Sequence, residues 1–188
     1  DSYQVNVPLL LMNSFNTDHD TKKIIKKYDT DLDIQTFQQN KFPRLTKDSL
    51  SPLSAESFGD QAFYPPGHGD IFNSINDSGI LSKLIEQGKK YIYIANADNL
   101  GASVDLNILN LISETSAPYI MEVTDKTRAD VKGGTLVNTK DNPLHLLEFA
   151  QVPFEYREEF KSVKKFKIFN TNNIWLNLVK LKQKIEIG

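Results

Sequence analysis

Short apolar runs alternate along the chain with segments whose apolar positions recur at helical spacing, the pattern of an α/β protein. Residues 5–13, VNVPLLLMN, read as a buried strand ending in polar Asn13, Ser14 and Asn16. In NTDHDTKKIIKKY, Asp18 and Asp20 come early and Lys22, Lys23, Lys26 and Lys27 late. That charge order suits the helix dipole, with Ile24 and Ile25 as the apolar side. DIQTFQQ is a second strand, reached through the acidic turn DTDLD. Residues 43–66 are irregular, with three proline sites and several serines. DIFNSINDSGILSKLIEQG then reads as two helices broken near Ser78 and Gly79, with Gly88 as C-cap.

KYIYIAN is the clearest strand, aromatic and β-branched without a breaker. It leads through Asp98, Asn99, Leu100 and Gly101 to a helix from about Ser103, the expected N-cap. PYIMEVTD is another strand, and GGTLVNT and LHLLEFAQV form a hairpin about the turn KDNP. A short helix is expected at residues 156–160, a strand at FKIFN, and a closing amphipathic helix at NNIWLNLVKLKQK. This order predicts a mostly parallel sheet. Ligands of such sheets bind outside the carboxyl ends of the strands. The site candidates are then residues 13–16, 38–39, 96–99, 124–126 and 170–172. Most of their polar side chains are Asn, Gln or Asp, which suits a hydroxyl-rich ligand or a nucleobase.

A length of 188 residues allows one domain with a sizeable core. A hydrophobic fraction of 39% with 24% charged residues argues against disorder and against a membrane protein. A net charge of −2 gives no global attraction to nucleic acid or anionic lipid. The absence of cysteine excludes disulfides and thiolate metal sites, and fits a reducing compartment. The longest apolar run, residues 7–12, is far short of the roughly 20 residues that cross a bilayer. No basic-then-apolar leader opens the chain, and a start at Asp1 suggests a fragment or processed product.

Several segments carry chemistry. Asp98 in NADNLG follows a strand, where a lone carboxylate either holds a metal such as Mg²⁺ or caps the turn. KTRADVKGGT offers Lys126, Arg128 and Lys132 beside a Gly-Gly pair. It is a phosphate or sugar loop, or else a glycine-led hairpin with solvated charges. It lacks P-loop spacing. FNTNN places three asparagines in five residues, and capping accounts for one of them, which leaves ligand contact for the others. DTDLD lacks the glycine and distal glutamate of a calcium loop and reads as a solvated turn. His19 and His145 have no supporting neighbours, and no Ser/His/Asp set can be assembled. In FYPPGHGD, His68 lies between two glycines after two prolines. It is either a structural turn or an exposed ring beside free N–H groups that takes a phosphate oxygen.

Seven stretches in order resemble the eukaryotic UTP–glucose-1-phosphate uridylyltransferases: VPLLLMNSFNTD, FQQNKFPR, YPPGHGDIF, NADNLGASVDL, MEVTDKTRADVKGGTL, LLEFAQVP and FKIFNTNNIWLNL. They cover nearly the whole chain. The resemblance implies a GT-A-like nucleotidyltransferase domain, with residues 1–188 as part of it. The implied reaction converts UTP and glucose 1-phosphate to UDP-glucose and pyrophosphate with Mg²⁺, in the cytoplasm, without nucleic-acid or membrane partners. Carried over, Gln39 reads the uracil edge and Gly67 lets the base lie against backbone. His68 sits by the sugar phosphate, Asn96 contacts ribose or sugar, and Asp98 holds Mg²⁺, with His68 and Asp98 as the catalytic pair. Glu148, Gly134 and Asn172 address the glucose hydroxyls, and Asn170 supports them.

The family's glycine-rich nucleotide loop with its lysine lies upstream of such a start. A second phosphate-binding lysine and a C-terminal left-handed β-helix, used for oligomer contacts, lie downstream. The piece is therefore expected to have little or no activity alone. Gln38, Asn40 and Lys41 stand where relatives often carry other polar residues. The competing readings are a UDP-N-acetylhexosamine pyrophosphorylase, against which KTRADVKGG and FNTNN argue, and a non-catalytic nucleotide-sugar-binding scaffold.

Overall fold

A computed structural model describes residues 5–28, 30–130, 133–140 and 144–187. They form two compact units, residues 1–88 with 185–188 and residues 89–184. Asp29 of the acidic turn, Lys132 of the basic loop and the hairpin residues Asp141, Asn142 and Pro143 lie outside the described residues.

In the first unit, β1 (Leu9–Asn13), α1 (Asp18–Ile25) and β2 (Ile34–Gln38) make a β-α-β crossover. Its strands pair in parallel from Leu9 opposite Ile34 to Asn13 opposite Gln38. The expected strand at 5–13 forms only from Leu9, just after Pro8, which has no N–H to extend the ladder. The irregular stretch contains β3 (Phe42–Pro43), α2 (Ala55–Phe58) and β4 (Phe63–Tyr64), with β3 and β4 antiparallel. α3 (Ile71–Asp77) and α4 (Ile80–Glu86) are separated at Gly79, whose φ of +77° suits glycine. Gly88 likewise closes α4, donating to the Ile85 carbonyl at 2.9 Å. Phe37, Ala62, Ile75, Leu81 and Leu84 form the apolar core, where each large side chain contributes about 2 kcal/mol.

The second unit holds β5 (Tyr91–Ile94), α5 (Leu106–Thr115), β6 (Tyr119–Asp125), β7 (Thr135–Val137), β8 (His145–Leu147), α6 (Arg157–Phe160), β9 (Ile168–Asn177) and, as far as Lys184, α7 (Leu178–Ile187). β9 lies between β5 and β6 and runs antiparallel to both. β7 and β8 form the expected hairpin. The core gathers Ile112, Val152, Phe160, Ile174, Trp175, Leu176 and Leu178.

Three expectations are corrected. Among the described residues only β1 and β2 pair in parallel, so the sheets are not mostly parallel. β5 and β6 do run the same way about α5, but β9 slips between them. Local periodicity reports element type and is blind to such an insertion. The segment NNIWLN is strand, and the closing helix starts at Leu178. The consecutive burial of residues 173–176 explains this, because a run covered on both faces shows no strand period. Finally, α5 is capped by Asp105, which accepts the Asn107 N–H at 2.7 Å, not by Ser103.

Candidate functional site

In the first unit the ladder continues one residue past β2, where the Gln39 N–H donates to the Asn13 carbonyl at 2.8 Å. The Gln39 side chain then accepts the Gly67 N–H on Oε1 at 2.7 Å. That bond fixes the amide and leaves Nε2 as a donor without a partner among the described residues. Gly67 has φ +100° and ψ −166°, a region essentially reserved for glycine. A Cβ there would meet no atom within 4 Å, so the requirement is conformational, not one of space. His68, the next residue, is exposed at the start of a short 3₁₀ turn.

Asp70, which the sequence reading passed over, holds this turn. It is buried, and its carboxylate accepts the Asn40 N–H at 2.8 Å, Asn40 Nδ2 at 3.2 Å and the Ser74 hydroxyl at 2.5 Å. Burial pushes its pKa up, but the hydrogen bonds from Ser74 and Asn40 outweigh that and hold it below the usual 3.8. The polar residues after β1 serve structure instead. Asn13 Nδ2 donates to Asp18 at 3.0 Å, Lys22 reaches the same carboxylate at 2.7 Å, and the Ser14 N–H donates to Thr17 Oγ1 at 3.0 Å. The bonds from Lys22 and then Asn13 hold Asp18 low as well.

Both folded carboxyls titrate below their unfolded value of 3.8, so their stabilisation is complete above it and lost as pH falls through the lowered value. The unfolding midpoint of the protein is expected to drop between about pH 5 and pH 2. Asp70→Asn should flatten that drop, as read by thermal unfolding across the range. An unchanged pH profile in the variant would contradict this assignment.

In the second unit, residues distant in sequence converge. Asn172 Nδ2 donates to Asn96 Oδ1 at 2.7 Å, and the Asn172 N–H donates to Asn170 Oδ1 at 2.9 Å. Asn172 has φ +59°, a left-handed conformation that asparagine tolerates. The Asn170 N–H donates to the Gly134 carbonyl at 2.9 Å. Gly134 is buried against the Glu148 carboxylate, which a Cβ at that position would strike. Glu148 also caps the following turn in a capping box, with its N–H donating to Gln151 Oε1 at 2.8 Å. Asn96, Asn172, Asn170, Gly134 and Glu148 therefore form one continuous run of contacts. Asn96 Nδ2, Asn170 Nδ2 and Asn172 Oδ1 keep hydrogen-bonding capacity that nothing among the described residues uses.

Behind that run stands Glu122, a second residue the sequence reading missed. It accepts Trp175 Nε1 at 2.6 Å and Asn173 Nδ2 at 3.2 Å. Asn99 Nδ2 donates to Asn173 Oδ1 at 3.2 Å, and the Gly101 N–H donates to Asn99 Oδ1 at 3.2 Å. Tyr93 packs against Trp175 with its ring tilted by 40° at 4.6 Å between centroids; burial, then the charge of Glu122, push its phenol pKa up. The available signal for Glu122 was a lone acid inside the apolar strand PYIMEVTD, facing an indole N–H that needs an acceptor when buried.

Asp98 does not lie at a buried strand end as expected. β5 stops at Ile94, and Asp98 is exposed in the following turn, its carboxylate without a hydrogen bond or ion pair among the described residues. No group of three metal-binding side chains occurs among those residues. A single solvent-facing carboxylate does fit Mg²⁺, which takes one or two carboxylates plus phosphates and keeps several waters.

Lys126 is no phosphate ligand in this geometry. It is buried, donates to the Phe160 carbonyl at 2.9 Å and sits 4.6 Å from that ring's centroid. Burial lowers its pKa, against the opposing pull of Asp130. Lys126→Ala is expected to cost about 2 kcal/mol of stability in chemical unfolding. Undiminished stability with weakened UTP binding would restore the phosphate role. Arg128, His19 and His145 are exposed, as a solvated reading requires.

Comparison with known proteins gives a consistent result. The family model described as UTP–glucose-1-phosphate uridylyltransferase matches residues 1–188. A probable UTP–glucose-1-phosphate uridylyltransferase of Schizosaccharomyces pombe is 56% identical over 184 residues, 96% of this chain and 36% of that protein. The crystal structure of a Trypanosoma brucei UDP-glucose phosphorylase superposes with a TM-score of 0.87 at 37% identity, covering 97% of this chain and 41% of that one. A Leishmania major UDP-glucose pyrophosphorylase variant, solved in complex with UDP-glucose, matches with a TM-score of 0.83 at 33% identity, over 100% of this chain and 43% of that one. The chain thus spans well under half the length of these relatives.

Proposed function

The chain belongs to the UTP–glucose-1-phosphate uridylyltransferase family, and from that premise we propose that it supplies the base-reading and sugar-reading residues of an enzyme converting UTP and glucose 1-phosphate to UDP-glucose and pyrophosphate. The observation that carries this reading is the run Asn96, Asn172, Asn170, Gly134 and Glu148. Neutral amides with spare donors and acceptors, beside one carboxylate, suit a hexose whose hydroxyls both donate and accept. The two co-directional strands about α5, with β9 antiparallel between them, support the reading of residues 1–188 as part of a GT-A-like nucleotidyltransferase domain.

In the proposed reaction a phosphate oxygen of glucose 1-phosphate attacks the α-phosphorus of UTP. The P–O bond to the β-phosphate breaks, and pyrophosphate leaves with that electron pair. Such a transfer needs positioning and charge neutralisation more than covalent help from the protein. Gln39 Nε2 donates to the base, which lies against the backbone at Gly67. His68 presents its exposed ring to the sugar phosphate, and Asn96 and Asn172 orient ribose and hexose. Asp98 would hold Mg²⁺, which when bound neutralises phosphate charge.

The test is pyrophosphate release by a polypeptide spanning the full length of the relatives. Release should require UTP and glucose 1-phosphate together. Failure with that pair, or a preference for N-acetylglucosamine 1-phosphate, overturns the reading.

A further inference from the structure

We propose that Asp70 is a positioning residue for base choice: through Asn40 and Gly67 it fixes the Gln39 amide in the one orientation that accepts uracil and rejects cytosine. The inference rests on the reading of Gln39 as the residue that recognises the base.

Gln39 Oε1 is held by the Gly67 N–H at 2.7 Å, so Nε2 is the group left to meet a ligand. Nε2 is a donor. The 4-position of uracil carries an acceptor oxygen, whereas the same position of cytosine carries an amino donor. With Nε2 set against the 4-position, cytosine could be accommodated there only by a half-turn of the amide, which would set Nε2 against the Gly67 N–H, donor facing donor. The discrimination is therefore as firm as the placement of Gly67 relative to Gln39.

Asp70 sets that placement from both sides. Its own N–H donates to the Gly67 carbonyl at 3.1 Å, closing the turn that aims the Gly67 N–H. Its carboxylate takes the backbone N–H of Asn40, the residue after Gln39, at 2.8 Å, and Asn40 Nδ2 at 3.2 Å. At 8% exposure the carboxylate is shielded from competing water, and the Ser74 hydroxyl anchors it to α3. A side chain 30 residues from Asn40 thus joins the end of β2 to the glycine turn.

The experiment compares kcat/KM for UTP and for CTP in the full-length polypeptide, for wild type, Asp70→Ala, Asp70→Asn, Ser74→Ala and Gln39→Ala, with thermal unfolding of each. Loss of Asp70 should raise KM for UTP with little change in kcat and lower the UTP-to-CTP preference about tenfold or more. Ser74→Ala, which spares both bonds to Asn40, should keep the preference within about twofold. If Asp70→Ala fails to fold, the near-isosteric Asp70→Asn decides the question. A folded Asp70 variant with the wild-type preference overturns the inference while leaving Gln39 as the base reader. An unchanged preference in Gln39→Ala overturns that reading and the inference with it.

Discussion

Gly133→Ala is expected to destabilise the protein by about 3 kcal/mol, whereas the same change one residue later, at Gly134, should cost less than about 1 kcal/mol and strike ligand binding instead. The difference lies in what a new methyl group would meet. At position 133 it would enter the ring of Phe169, which is held on β9 opposite Thr124 of β6. A ring set on a central strand cannot withdraw without disturbing the sheet, so the overlap is relieved only by backbone movement. At position 134 it would meet the far end of the Glu148 side chain, which can swing away. The fold survives that swing, but the carboxylate leaves its place beside Gly134. UDP-glucose affinity should then fall about tenfold to a hundredfold, in keeping with the loss of a charge-assisted hydrogen bond. Chemical unfolding and UDP-glucose titration of the two variants check this. Equal destabilisation by both, or undiminished affinity in Gly134→Ala, would contradict it.

Asp98→Ala should reduce turnover of the full-length polypeptide on the order of a thousandfold. Its unfolding temperature should stay within about 2 °C of wild type, since an exposed side chain without partners among the described residues contributes little to folding. This separation of activity from stability is what a metal-holding carboxylate produces and a turn-capping one does not. Asp98→Asn keeps the shape and removes the charge, and it should behave like the alanine variant. Near-normal turnover in either would rule out the metal role.

How far the sequence reveals this molecule depends on the kind of information each feature needs. β5 is legible in YIYI because one β-branched and aromatic run with no breaker suffices. The break between α3 and α4 is legible because Gly79 marks it locally. β9 is legible only at its start, FKIFN, since beyond it Ile174, Trp175 and Leu176 are buried in succession and an apolar run of that kind fits helix or strand. The position of β9 between β5 and β6 is a long-range fact that no window contains.

Among site candidates, the rule of amides after strands names Asn96 and Asn172, which meet although 76 residues apart, but Asn172 lies inside β9 and not at its end. The same rule also picks out Asn13 and Ser14, whose hydrogen bonds build the start of α1 instead. Lys126 reads as a phosphate ligand or a solvated charge, because sequence shows a charge and not its burial. Asp70 is hidden by its neighbour His68, the more conspicuous residue of the turn, although its carboxylate carries the contacts across to Asn40.

On the proposed function, this chain itself recognises uridine and the sugar attached to it. Calorimetric titration of the 188-residue chain, its folding verified by circular dichroism, tests this most directly with UTP and UDP-glucose as ligands. Saturable heat is predicted with UTP and with UDP-glucose, and absence of heat from both ligands would contradict the claim.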